Sequence, residues 1–277
     1  MLKNKKPYSK SAVGSYVLDL FNLGVLFGWA TKPLKASYIN GKCLKVKRSS
    51  DNTYLDVYFV GGVLDTASII AFCGASIGYV VAVYNHNDGT ECRNTIDTGT
   101  SANDAYLPTI YNGSSIETNL DGEVAIKMYS NNRLYITNFN NVDTFSLFLM
   151  CTRTRSKMAI YFAGTNQYMF IADSGGSWAT FGQFDTSPIS AGINGIDFTP
   201  HQTNTLAAAM PTNNPLILSA MRFSPNSTWG ANMILGGYVY YSRGFDSHVT
   251  GEVWYDGDKS TDEAAIITEL TTQFNIT

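Results

Sequence analysis

The chain has 277 residues, 44% of them apolar, 13% aromatic and 15% charged, with a formal net charge of −3. That length and apolar share allow a sizeable buried core, and 24 glycines with 32 Tyr and Phe mark a turn-rich, β-rich chain. Collagen, coiled coil and intrinsic disorder are excluded, because aromatics are plentiful and no G-X-Y or heptad period appears.

The first element is a basic and then apolar arm over residues 1–36. Residues 1–50 carry ten of the nineteen Lys and Arg against one acid, Asp19, so the remainder is strongly acidic. A basic arm on an acidic body suits docking on an acidic partner or plain solvation. No nucleic-acid-reading motif follows the lysines, and no nucleic acid is expected as a partner. Val17 to Ala30 is the only stretch that resembles a signal or membrane segment. Asp19 and Asn22 interrupt it, Gly24 and Gly28 weaken it as a helix, and it falls short of the ~20 residues that span a bilayer. No membrane contact is expected. It reads as an anchoring segment whose contact residues are Leu18, Leu20, Phe21, Leu23, Leu26, Phe27 and Trp29, closed by Lys32-Pro33.

From residue 37 the pattern becomes β. Cys43–Lys47 and Tyr54–Val60 alternate around the turn Ser49-Ser50-Asp51-Asn52, and Tyr79–Tyr84 is an apolar run of buried-strand length. Between them, residues 65–73 suit a short helix capped by Asp65 or Thr66 and ended by Gly74. Further strands are placed near Ala125–Tyr129, Phe145–Thr152, Met158–Ala163, Tyr168–Asp173, Leu216–Ser224, Met233–Leu235 and Gly251–Tyr255, with a long polar connection from Gly182 to Asn214. Short strands with turn signals between them argue for an all-β sandwich or barrel. A helix near 261–274 opens on Ser260-x-x-Glu263, a capping box, and presents Ile266, Ile267, Leu270 and Phe274 on one face.

Chemistry-bearing residues are scattered. Cys43, Cys73, Cys92 and Cys151 form no CxxC pair, and free, buried thiols in a protein assembled inside a cell are the expectation. His86, His201 and His248 stand alone and read as surface or loop residues rather than metal or triad members. The loop Asn85-His86-Asn87-Asp88-Gly89 offers alternating oxygen ligands, so calcium is considered there, although the loop supplies too few for a cage. No other metal or cofactor is expected. The glycine pairs fit no phosphate-loop frame. Asn112-Gly113-Ser114 and Asn226-Ser227-Thr228 are sequons that matter only in a secreted chain. Tyr168, Trp178, Trp229, Tyr238, Tyr240 and Tyr241 lie near polar loops and are candidates for glycan contact, alongside ordinary packing or interface use.

A family resemblance rests on particular runs: Val46-Lys47-Arg48-Ser49-Ser50-Asp51-Asn52, Asp56-Val57, Leu64-Asp65-Thr66-Ala67 and Phe72-Cys73-Gly74. These resemble the opening of the alpha-L-arabinofuranosidase B catalytic domain, a concanavalin-like (jelly-roll) β-sandwich also found as a module in tailed-phage virion proteins. The family's Tyr-Asp-Gln-Ser-Gly loop has only its frame here, in Tyr84 to Gly89. The run from Gly251 to Phe274 looks like the final strand and helix of the phage versions, and the resemblance covers residues 38–277.

Retaining glycosidases of this kind use two carboxylates about 5–5.5 Å apart. The family's nucleophile strand, Met-Glu-Ala-Ile-Tyr-Phe-Gly, is similar to Met158-Ala159-Ile160-Tyr161-Phe162-Ala163-Gly164, which lacks the Glu. Its acid/base Asp follows Gly-Gly, whereas Gly236-Gly237 precedes Tyr238, and an alignment shifted by a few residues leaves Asp173 and Asp246 as substitutes. The resemblance with these departures implies a non-catalytic virion structural protein of a tailed phage. Its arm would anchor to capsid or tail, and residues 37–277 would be displayed as a capsid decoration, head fibre or tail fibre in a homo-oligomer or symmetric array. The alternatives are a glycan-binding adhesion module for host surface polysaccharide and a divergent arabinofuranosidase-type hydrolase.

Overall fold

The computed structural model describes residues 15–94, 97–129, 132–137, 144–153, 158–162, 168–172, 190–198, 214–223, 232–236 and 247–276. The chain is mostly antiparallel β-sheet with few helices, a concanavalin-like β-sandwich. Its first half contributes α1 (Val17–Leu20), β1 (Val25–Ala30), β2 (Lys42–Arg48), β3 (Tyr54–Val60), β4 (Val63–Leu64), α2 (Thr66–Cys73), β5 (Gly78–Tyr84), β6 (Glu91–Arg93), β7 (Thr109–Tyr111), β8 (Ile126–Met128) and β9 (Arg133–Thr137). The second half adds β10 (Phe145–Arg153), β11 (Met158–Phe162), β12 (Tyr168–Ala172), β13 (Ser190–Ile193), β14 (Ile196–Phe198), β15 (Pro215–Phe223), β16 (Asn232–Gly236), β17 (Ser247–Asp256) and α3 (Glu263–Phe274).

Among the described residues the large sheet runs β14-β13-β15-β10-β17-β8-β7-β5-β2-β3-β4, with β1 on β17 and β6 on β5. The smaller sheet runs β12-β11-β16-β9. Strand alternation splits the core in two. Leu147, Leu149 and Cys151 of β10 join one cluster with Val46, Val80, Trp254 and, from the smaller sheet, Leu134. Phe148 and Met150 join the other, covered by Ile266, Ile267, Leu270 and Phe274 of α3 and by Val17 and Leu18 of α1. The large sheet is therefore buried on both faces where α3 lies.

The boundary expected at residue 36 falls inside the fold. β1 pairs with β17 from Val25↔Tyr255 to Ala30↔Gly251. Gly251 permits this approach, since a Cβ there would stand 2.4 Å from Ala30 Cβ. Leu18, Phe27 and Trp29 are buried in the sandwich's own core, with Phe21 and Leu26 packed beside them. At about 1.5–3 kcal/mol per buried apolar side chain, they support the fold rather than wait for a partner. Leu20 and Leu23 remain outside, 54% and 78% exposed.

Three local expectations are also corrected. The polar connection contains the β13–β14 hairpin, turned by Asn194 and Gly195 at φ 51° and 79°, the conformation that favours Asn-Gly in two-residue hairpins. The capping box does not form: Asp262 is the N-cap of α3, and Glu263 turns inward to accept a 2.6 Å hydrogen bond from Ser219 Oγ. His86 is fully buried, stacked on Tyr38 at 4.6 Å, with Nδ1 accepting from Leu34 N–H. Burial pushes its pKa down to about 3, so it stays neutral. The helix at Thr66–Cys73 is as expected, with Asp65 accepting from Ser68 N–H and Gly74 ending it. All four cysteines are buried, and none forms a disulfide.

One carboxylate, that of Glu252, is enclosed by indole side chains. Glu252 of β17 pairs with Trp29 across β1 and with Leu149 across β10. Its Oε1 accepts from Trp29 Nε1 at 2.7 Å, and its Oε2 accepts from Trp254 Nε1 at 3.1 Å. Burial raises its pKa to about 7 from 4.5, against the opposing pull of the two indole donors. Between those values the folded protein holds a proton that the unfolded chain releases. The stability from this group is therefore complete below about pH 4.5 and is lost as pH rises through about 7, by about 3 kcal/mol. Denaturant unfolding of wild type and Glu252→Gln across pH 4.5–8 should show the variant gaining relative stability by about that amount. Parallel pH profiles would contradict this placement of the charge.

Candidate functional site

The smaller sheet gathers four strand termini at one end. Arg133, which opens β9, pairs with Gly236 at the close of β16. β16 pairs with β11 through Ile234↔Tyr161 and Met233↔Phe162, so Met158 at the start of β11 lies toward Gly236. Met158 in turn pairs with Ala172, the last residue of β12 and the one preceding Asp173. Two stretches far apart in sequence, Met158–Gly164 and the Gly236-Gly237 region, are thus represented on adjacent strands.

Side chains are organised around Arg133. Asn132 is buried and donates from Nδ2 to Ala105 O at 3.0 Å and Leu107 O at 2.9 Å, while its Oδ1 accepts from Tyr129 N–H at 2.6 Å. One amide side chain therefore fastens the start of β9 to the turn carrying Tyr106 and to Tyr129. The Arg133 guanidinium lies 5.4 Å from the Tyr106 ring centroid, a cation–π contact of about 0.5–2 kcal/mol. Asn94 donates to Arg133 O at 2.6 Å. The Arg133 Nε is buried with no hydrogen-bond partner, an arrangement that costs about 1–3 kcal/mol. Tyr106 and Tyr129 are 38% and 51% exposed, and the backbone around each is tied through Asn132 to the start of β9.

The turn carrying Tyr106 is held from beneath by Lys47. This lysine of β2 is 0% exposed and donates to Thr100 O at 2.5 Å and to Asp104 Oδ1 at 2.7 Å, with Asp97 Oδ1 at 3.4 Å. Burial works to lower its pKa, but Asp104 and Asp97 outweigh that and raise it. Asp97 also accepts from Tyr54 at 2.9 Å and from Arg93 at 3.0 Å. Its pKa is lowered because Gly99 N–H, Tyr54, Arg93 and Lys47 together overcome the effect of burial.

Of the glycan-contact residues expected from sequence, Tyr168 is the first residue of β12 and pairs with Tyr161. Trp178, Trp229, Tyr238, Tyr240 and Tyr241 lie outside the described residues, as do Asp173, Asp246 and His201. His248 lies on β17, 3.9 Å from Glu117 and partly buried. The calcium loop is otherwise engaged: Asn85 Oδ1 accepts from Gly28 and Asn87 N–H, and Asp88 Oδ1 accepts from Thr90 N–H. Among the described residues no cluster of three or more His, Cys, Asp or Glu is placed to hold a metal. Tyr106, Tyr129, Asn132 and Arg133 were not singled out from sequence, where nothing in the local pattern joins positions 27 residues apart.

The class defined here is the concanavalin-like β-sandwich. Three solved structures share it. A GH54 α-L-arabinofuranosidase soaked with a cyclic sulfate inhibitor superposes with a TM-score of 0.61 at 11% identity, over 93% of this chain and 64% of that one. A mutant of such an enzyme soaked with 4-nitrophenyl α-L-arabinofuranoside matches equally. An arabinofuranosidase complexed with arabinofuranosyl-α-1,2-xylobiose gives 0.62 at 10% identity, with the same coverage. The chain thus spans 64% of the length of each of these proteins. No protein-family profile and no curated protein matches the sequence. The likeness establishes the fold. It also overturns the expectation of a non-enzyme drawn from the missing carboxylates, because three solved proteins with this sandwich are arabinofuranosidases and the fold is therefore one that carries enzymes.

Proposed function

We propose that the chain is a carbohydrate-directed protein that holds a polysaccharide at the Arg133 end of the smaller sheet. The observation that carries this reading is the convergence of strand termini there. The start of β11 resembles the family's nucleophile strand and lies on the strand next to β16, and the end of β16 leads into Gly236-Gly237 and pairs with Arg133, whose guanidinium rests on Tyr106. Exposed aromatic rings supply apolar faces for sugar rings, and a guanidinium supplies hydrogen-bond donors for oxygens on the same ligand. The sandwich superposes on proteins crystallised with an arabinofuranoside and an arabinofuranosyl xylobiose, which supports a saccharide as the ligand. Hydrolysis needs a carboxylate pair, and Asp173, next after Ala172, is the carboxylate nearest in sequence to this sheet end.

The test is binding to immobilised plant and bacterial polysaccharides, with release of nitrophenol from 4-nitrophenyl arabinofuranoside measured on the same samples. At least one glycan should bind, and Tyr106→Ala with Tyr129→Ala should weaken it tenfold or more, because each stacked ring is worth about 0.5–1.5 kcal/mol. Wild-type affinity in the double variant would contradict the site.

A second reading concerns attachment, and the exposure of Leu20 and Leu23 favours it. These leucines follow Lys3, Lys5, Lys6 and Lys10, a combination suited to an acidic protein surface such as a phage capsid or tail. On this proposal the sandwich is carried on the virion in a symmetric array. Immunogold labelling of purified particles should mark head or tail, and absence of the protein from clean particles would refute virion attachment.

A further inference from the structure

Arg133 stands apart from the other two arginines whose side chains the structure describes. Arg48 pairs with Asp51 and Arg93 pairs with Asp97, whereas among the described residues no carboxylate lies within ion-pair distance of Arg133. Its guanidinium rests on Tyr106, its Nε lacks a partner, and its backbone is fixed by Asn94 and by the neighbouring Asn132. A cation held this firmly, half-buried and without a counter-charge among the described residues, is arranged to receive an anion.

We infer that Arg133 selects acidic glycans, those whose sugar rings carry a carboxylate, such as uronates. This inference rests on the reading of the sheet end as a glycan site and names the substrate class of that site. A planar guanidinium binds a carboxylate through two parallel N–H···O bonds, a geometry that a neutral hydroxyl cannot match. Tyr106 lies against the guanidinium, which leaves the terminal N–H groups to meet the carboxylate. Asn132 is a positioning residue here, because it fixes Tyr106 and Arg133 relative to each other. A lysine at this position would present a point charge without the fork, and methionine would keep the apolar stem while removing the charge.

The experiment is isothermal titration of the full chain with trigalacturonate and, separately, with the neutral trimers arabinotriose and xylotriose. Wild type should bind trigalacturonate at least tenfold tighter than either neutral trimer, and added salt should erode that preference. Arg133→Met should abolish the preference, weakening trigalacturonate binding at least tenfold more than binding of the neutral trimers, and Arg133→Lys should retain only part of the preference. Thermal unfolding checks that both variants are folded, and Arg133→Lys carries the test if Arg133→Met is not. Equal wild-type affinity for acidic and neutral trimers would overturn the inference while leaving the glycan reading intact, as would a preference that survives in the variants. Binding of none of the three trimers, with none of the immobilised polysaccharides retained, would overturn both.

Discussion

The buried ammonium of Lys47 is the constraint from which the site end of the molecule follows. An amine removed from water costs several kcal/mol unless opposite charges and hydrogen bonds surround it. Lys47 therefore requires Asp97, Asp104 and Thr100 O to come to it. That requirement folds residues 97–106 back over β2 and β5 and presents Tyr106 at the edge of the smaller sheet. Asp97 in turn gathers Tyr54 and Arg93. Removing one partner of such a buried pair typically costs about 3–5 kcal/mol, so the turn has little freedom to relax. Asn132 then transfers this order to β9, where Arg133 begins.

The same logic, a buried polar group dictating the path of distant segments, operates at the other side of the core. Glu252 is hydrogen-bonded by indoles on β1 and β17, so the N-terminal strand is not interchangeable with any other apolar strand. Trp29 supplies both bulk and the donor. This explains why the segment from Val17 to Leu34 is integral to the sandwich although it precedes the region of family resemblance.

Much of the fold was legible in the sequence because its determinants are local. The runs that became β2, β3, β5, β10 and β17 alternate or stay apolar over strand length, and α2 carries its cap and its terminating glycine. β1 was missed because Gly24, Gly28 and a polar preface disguised a strand whose stability comes from β17, more than 200 residues away. Asn194-Gly195 carried a recognisable hairpin signal that its polar surroundings obscured. The capping box failed because Ser219, 44 residues before Glu263 in sequence, offered that carboxylate a buried partner. His86 looked like a loop residue because burial by Tyr38 and Phe59 leaves no trace in its neighbours along the chain. The candidate site was legible only in part: the resemblance marked β11, the Gly236-Gly237 stretch and the run that holds Lys47, but not the partners that Lys47 takes. Nothing local ties Lys47 to Asp97 and Asp104, or Tyr106 to Arg133.

The central claim is spatial: one end of a four-stranded sheet, braced by Lys47 and Asn132, holds a saccharide. The most direct measurement is a crystal structure of the chain soaked with whichever oligosaccharide binds it tightest in solution. The account predicts density against Tyr106, Tyr129 and Arg133, with the ligand running along the ends of β9, β16 and β11. Density elsewhere, such as over the exposed Tyr54 and Tyr58 of β3, would contradict it.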